Sequence, residues 1–184
     1  MINREEAFIL LKKYLRKEDN IRYSMAVEAI LRVIAKKIQR DEELWGLTGL
    51  LHNLDYEYTE NEPEKRGILS AQLLENLLPE NAIYAIKANN YLHSDNIPTT
   101  SLDKSLIAVD AVVGLIIITK QLMPSKKIVE LDFKTLINKF LDITFVPDFN
   151  RNKIQLCEDI GIEIEAFLDL SLNTLKQISE KINF

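Results

Sequence analysis

The chain has 184 residues, enough for one well-buried core and short for two domains. An apolar share of 47% and a charged share of 28% are ordinary for a globular protein. The net charge of −5, with Lys and Arg interspersed among Asp and Glu, excludes a basic nucleic-acid platform but not a local phosphate pocket.

The N-terminus, Met1-Ile2-Asn3-Arg4-Glu5-Glu6, turns amphipathic at once and has no apolar signal core, which points to a cytoplasmic protein. Phe8, Leu11 and Leu15 recur at helical spacing and predict a first helix. Ile21, Met25, Ile30, Ile34 and Ile38 predict a longer second one. Leu44, Leu47, Leu50 and Leu51 form a short third helix that ends at His52. Leu69, Leu73, Leu74 and Leu77 give a fourth, closed by Pro79, which suits the first turn of the next. Ile83, Ile86 and Tyr91 carry this fifth helix to the loop around Pro98.

A sixth, very apolar helix opens at Leu102-Asp103, passes through Asp110 and runs to about Leu122, where Pro124 breaks it. Its most apolar run, 111–119, is far too short to span a bilayer, so no membrane partner is expected. Segments 133–141, 151–158 and about 162–182 read as further helices. Cys157 is the chain's only cysteine, which rules out an internal disulfide or a CxxC metal knuckle. Phe145-Val146 has strand character but is too short for a sheet. The expected fold is all-α, a single domain over 1–184 with eight or nine helices.

The segment Gly49-Leu50-Leu51-His52-Asn53-Leu54-Asp55-Tyr56 resembles the His-Asp turn of the HD superfamily of metal-dependent phosphohydrolases, with Asn53 in the place of the Asp. Asn20-Ile21-Arg22-Tyr23-Ser24-Met25-Ala26-Val27 is similar to that family's first ligand helix, with Tyr23 where a His is expected. Pro63-Glu64-Lys65-Arg66-Gly67 resembles a following segment in which a His is common before the Gly. Ala85-Ile86-Lys87-Ala88-Asn89-Asn90 resembles the helix that ends in a further His, here Asn89. Leu106-Ile107-Ala108-Val109-Asp110, followed by Gly114-Leu115-Ile116, resembles the helix that carries the last Asp. Asn150-Arg151-Asn152-Lys153-Ile154 is also similar. The resemblance has its core at 20–122, with the helices of 125–184 packed on it. It implies one pocket shared by Tyr23, His52, Asn53, Arg66, Asn89 and Asp110.

Of the ligands the resemblance implies, His52 and Asp110 remain. Imidazole and carboxylate hold Zn, Mn or Fe because they offer a lone pair or a full charge, and a catalytic site needs about three protein ligands. A neutral amide is a poor donor, and an arginine repels a cation. Without an ion nothing lowers the pKa of a bound water toward neutrality. No cofactor is therefore expected. A rebuilt site would take Mn, Fe, Zn or Mg on His52 and Asp110 with Asp55 or His93. The Arg66 guanidinium would supply the lost positive charge, either to Asp110 or to a phosphate.

Plainer roles compete for each residue. His52 at a helix end suits a hydrogen-bonded structural histidine. Asp110, in an apolar helix, needs a partner, for which Arg66, His52 and Lys104 are candidates. Tyr23 and Asn89 suit structural roles, Trp45 a place in the core or an interface, and His93, beside Ser94-Asp95-Asn96, an exposed loop. Asp55 and Glu57 are spare carboxylates after the turn. No Gly-rich phosphate loop, Ser-His-Asp order or Cys nucleophile setting is visible. Three readings follow: an HD-like protein without its metal that binds a phosphate-containing small molecule or regulates; an active phosphohydrolase with a rebuilt site acting on nucleotides or phosphate esters; and a structural helical module, a homodimer built on its last helix.

Overall fold

Local capping chemistry decides where the helices start. In the computed structural model, which describes residues 1–182, helix α1 (Arg4–Tyr14) opens on a reciprocal pair. The Asn3 side chain accepts from the Glu6 amide, and the Glu6 carboxylate accepts from the Asn3 amide. Thr100 and Asp103 repeat the device at α6 (Ser101–Leu122). Asp41 and Asp132 cap α3 (Glu42–Leu51) and α7 (Phe133–Leu141) with single side-chain bonds. The start of α2 (Glu18–Lys37) has no local cap. The distant Glu57 serves instead, accepting from the Arg16 and Lys17 amides and from Asn20 Nδ2.

Pro79 precedes α5 (Glu80–Ala88), and Gly67, at φ 79°, precedes α4 (Ile68–Leu74). The chain closes with α8 (Asn152–Gln155) and α9 (Ile164–Ile182). Short 3-10 turns occupy Pro63–Lys65, Ile128–Glu130 and Glu158–Ile160. Among the described residues there are nine α-helices and no strand. The last two residues of the expected 125–184 segment lie outside the described residues.

Several local expectations change. The fourth helix, read through Leu77, stops at Leu74. The fifth helix stops at Ala88 and does not reach Tyr91. Asn89 and Asn90 turn their side chains to Asp110 and to loop carbonyls, the competition that makes such residues poor helix formers. The segment 151–158 supplies one helical turn followed by a 3-10 turn, because the Arg151 guanidinium is drawn to five carbonyls of 139–149. Phe145-Val146 forms a bend, with Val146 at φ 49°.

Helix α6 lies at the centre, packed against α2, α5, α8 and α9. It is buried on nearly every side through Leu106, Ile107, Ala108, Val109, Val112 and Val113. Asp110 interrupts that apolar run. Helices α2 and α3 approach so closely that a Cβ on Gly49 would sit 2.7 Å from a Leu31 methyl and 3.1 Å from the Glu28 amide. Phe167, Leu168, Leu172 and Leu175 of α9 complete the core, where each such side chain contributes about 1.5–3 kcal/mol. Trp45 is buried in the same core. No helix among the described residues is long and apolar enough to cross a membrane.

Candidate functional site

The ends of α3 and α5, the middle of α6 and the first turns of α2 leave a polar cavity of about 300 Å³ between them. Tyr23, His52, Asn53, Arg66, Asn89 and Asp110 all line it, together with Asn20, Tyr56, Gly67, Ile86, Asn90 and Lys153.

Asp110 is the hub. Its Oδ1 accepts from the Tyr23 hydroxyl at 2.8 Å and lies 3.3 Å from His52 Nε2, while Oδ2 accepts from Asn89 Nδ2 at 3.2 Å. The Tyr23 hydroxyl also stands 2.6 Å from the Asp110 main-chain carbonyl, so its one proton is shared between two acceptors. Three helices thus meet on one carboxylate. The His52 ring, 1% exposed, is fixed at its other nitrogen, where Nδ1 lies 2.7 Å from the Gly49 carbonyl. Both ring nitrogens thus lie against oxygen atoms, which fixes the plane of the ring.

Burial raises the pKa of the Asp110 carboxyl. The His52 hydrogen bond and charge, the Tyr23 hydroxyl and the Lys153 charge more than reverse this and hold it at about 2. Tyr23 moves the other way: burial first, then the Asp110 charge, push its phenol well above the usual range. The phenol therefore stays a donor.

Arg66 does not pair with Asp110. Among the described residues no ion pair joins them, and the guanidinium lies over the Tyr56 ring at 4.8 Å. Its Nε is buried without a hydrogen-bond partner. Two contacts set the loop beneath it. Asn90 Nδ2 donates to the Pro63 carbonyl at 2.8 Å and to the Arg66 carbonyl at 3.3 Å. Gly67, left-handed, approaches α5 so closely that a Cβ there would meet the Ile86 carbonyl at 2.6 Å.

Other expected participants lie elsewhere. Asp55 is buried against α4, where its Oδ2 accepts from the Ser70 amide at 3.0 Å. Glu57 caps α2, and Lys104 pairs with Asp159 at 2.9 Å. His93 is exposed in the turn after α5 and does not line the cavity. Neither Asp55 nor His93 stands where it would complete a set with His52 and Asp110. Among the described residues no group of three or more His, Cys, Asp or Glu gathers where it could hold a metal ion. The donors around the carboxylate are an amide, a phenol and an imidazole already turned to Asp110, with two cations in the wall. That set does not fit a transition metal. Cys157 is buried, and burial ahead of Glu158 pushes its thiol up to about 12, so it is no nucleophile.

Sequence reasoning did not single out Lys153, Tyr56, Asn20 or Asn90. Lys153 had a signal in its similar segment, but α8 is too short for periodicity to show which side chain enters the cavity. Compared with known proteins, the chain matches no family model, no curated protein and no solved structure.

Proposed function

We propose that this chain is an HD-superfamily protein, related to metal-dependent phosphohydrolases, whose pocket has exchanged its metal for protein cations and now binds a phosphate-bearing small molecule without hydrolysing it. One observation carries the reading: the balance of charge inside the cavity. The Asp110 carboxylate is satisfied by the Tyr23 hydroxyl, the Asn89 amide and His52. Arg66 and Lys153 remain, and neither has an ion-pair partner among the described residues. Two cations without ion-pair partners in a polar cavity, on a chain whose net charge is −5, suit a phosphate monoester, which carries close to two negative charges at neutral pH. Guanidinium and ammonium are both effective phosphate partners.

This arrangement lacks what hydrolysis requires. The Asp110 carboxyl, held at about 2, is far too weak a base near neutrality, and both of its oxygens already accept hydrogen bonds. His52 is committed at both nitrogens.

Isothermal titration of protein in metal-free buffer with inorganic phosphate tests the reading. Saturable one-site binding is expected, lost in the Arg66→Met, Lys153→Met double variant. Absence of binding by the wild type overturns the proposal. So does turnover of nucleotides or phosphate esters, with Mn or Mg added, that His52→Ala or Asp110→Ala abolishes.

A further inference from the structure

Every residue that lines the cavity lies between Asn20 and Asp110, except Lys153. Its helix, α8, has four residues, and a helix so short depends on its surroundings for its position. Ile154, buried in the core, anchors one side. Arg151 stands on the other. It does not line the cavity, and no carboxylate pairs with it among the described residues. Its guanidinium donates to main-chain carbonyls instead. Nε reaches Phe140 at 2.6 Å, and Nη2 reaches Asp142 and Phe145, both at 2.6 Å. Longer contacts at 3.3 Å go to Lys139 and Phe149.

The strap that Arg151 gathers, 142–150, does not keep its shape by local preference. Val146 stands at φ 49°, a conformation that a β-branched residue holds only where its surroundings impose it. At the far end the Arg151 guanidinium lies 5.7 Å from the Phe149 ring centre. Phe149 reaches α6 one turn past Asp110, where a Cβ on Gly114 would stand 3.9 Å from its ring and 3.7 Å from the Tyr23 hydroxyl. The strap therefore closes on the helix that carries Asp110.

We infer that Arg151 is the positioning residue for Lys153: by fastening the strap it holds the Lys153 ammonium at the cavity wall, 5.9 Å from the Tyr91 ring centre. Its consequence for affinity rests on the phosphate-binding reading above. Arg151 then governs how well the cavity binds an anion without touching the anion. The effect is one of geometry and not of charge. A planar fork of donors spans carbonyls spread along the strap, whereas a lysine at 151 keeps the positive charge but presents it as a single point.

Arg151→Lys, checked for folding by its melt, provides the test, and the first readout needs no ligand. Acetylation of Lys153 by a soluble reagent, followed by peptide mass spectrometry, is compared with that of the exposed Lys36. The Lys153 rate is expected to rise at least about threefold as the side chain leaves its held position, while Lys36 stays unchanged. An unchanged Lys153 rate in the folded variant overturns the inference and leaves Ile154 as sufficient anchor. Calorimetry with inorganic phosphate is the second readout. Arg151→Lys is expected to weaken binding about tenfold, the scale of one charge-assisted hydrogen bond, and to cost nothing further once Lys153→Met is in place. An equal loss in both backgrounds overturns the inference, because a general loosening acts whether or not Lys153 is present. Absence of phosphate binding by the wild type overturns the phosphate reading alone, and the acetylation rates still decide the role of Arg151. Should Arg151→Lys not fold, Arg151→Gln, whose amide keeps two donors, takes its place. Unfolding of both variants overturns the inference, since Arg151 would then hold the whole fold and not one side chain.

Discussion

Two carboxylates in this molecule meet the same problem, and they solve it differently. Glu28, 3% exposed in α2, is held entirely by cations. Arg4 approaches both its oxygens at 2.7 and 2.9 Å, and Arg32 adds a third contact at 3.0 Å while reaching Glu43 at 2.7 Å. Asp110 is held by a phenol, an amide and one imidazole, beside a cavity whose other cations do not touch it. The first arrangement ties α1, α2 and α3 together through ion pairs. The second leaves two cations beside it without ion-pair partners among the described residues. A buried carboxylate closed by arginines is architecture, and one closed mainly by neutral donors beside spare cations marks a place for a ligand.

The largest effect that can break the contrast is expected at Glu28. Glu28→Ala should lower stability by about 3 kcal/mol in denaturant unfolding, because Arg32, itself largely buried, is left with Glu43 alone and Arg4 loses its bidentate partner. It should leave phosphate binding unchanged. A binding loss in a folded Glu28→Ala protein would show that the two regions are not separable.

The Asp110 site should announce itself in acid. Its carboxyl lies below the ordinary value near 4, so its contribution to stability is fully present above that value and disappears as pH falls through about 2. The slice is worth about 2 kcal/mol. Unfolding measured between pH 5 and pH 2 should lose that amount in the wild type beyond what Asp110→Asn loses. Parallel curves for the two proteins would mean that Asp110 is not held as described.

Arg66 should show the smallest change in stability. An arginine neutralising Asp110 would cost about 3–5 kcal/mol on removal, whereas one stacked on Tyr56 without an ion-pair partner should cost under about 1. Arg66→Ala is expected to melt close to the wild type and to lose phosphate affinity. A large drop in melting temperature, relieved by adding Asp110→Asn, would restore the direct pairing.

These predictions trace the limit of what the chain discloses before it folds. Helical periodicity and end signals reach the architecture, because Asn3 with Glu6 and Thr100 with Asp103 are local devices written within four residues. The resemblance singled out six positions, and the fold brings all six around one cavity. Side-chain direction is another matter. Arg66 has a long, flexible stem, and whether it turns to Asp110 or Tyr56 depends on Gly67 pressing against α5, a contact between residues about twenty positions apart. Lys153 enters from a four-residue helix positioned by the carbonyl grip of Arg151, and no periodic pattern records that.

The central claim is that protein cations, and not a metal ion, supply the positive charge of this cavity, and metal content tests it most directly. Elemental analysis of protein purified without chelator should find transition metal far below one ion per chain. About one tightly bound Mn, Fe, Zn or Ni per chain would contradict the account.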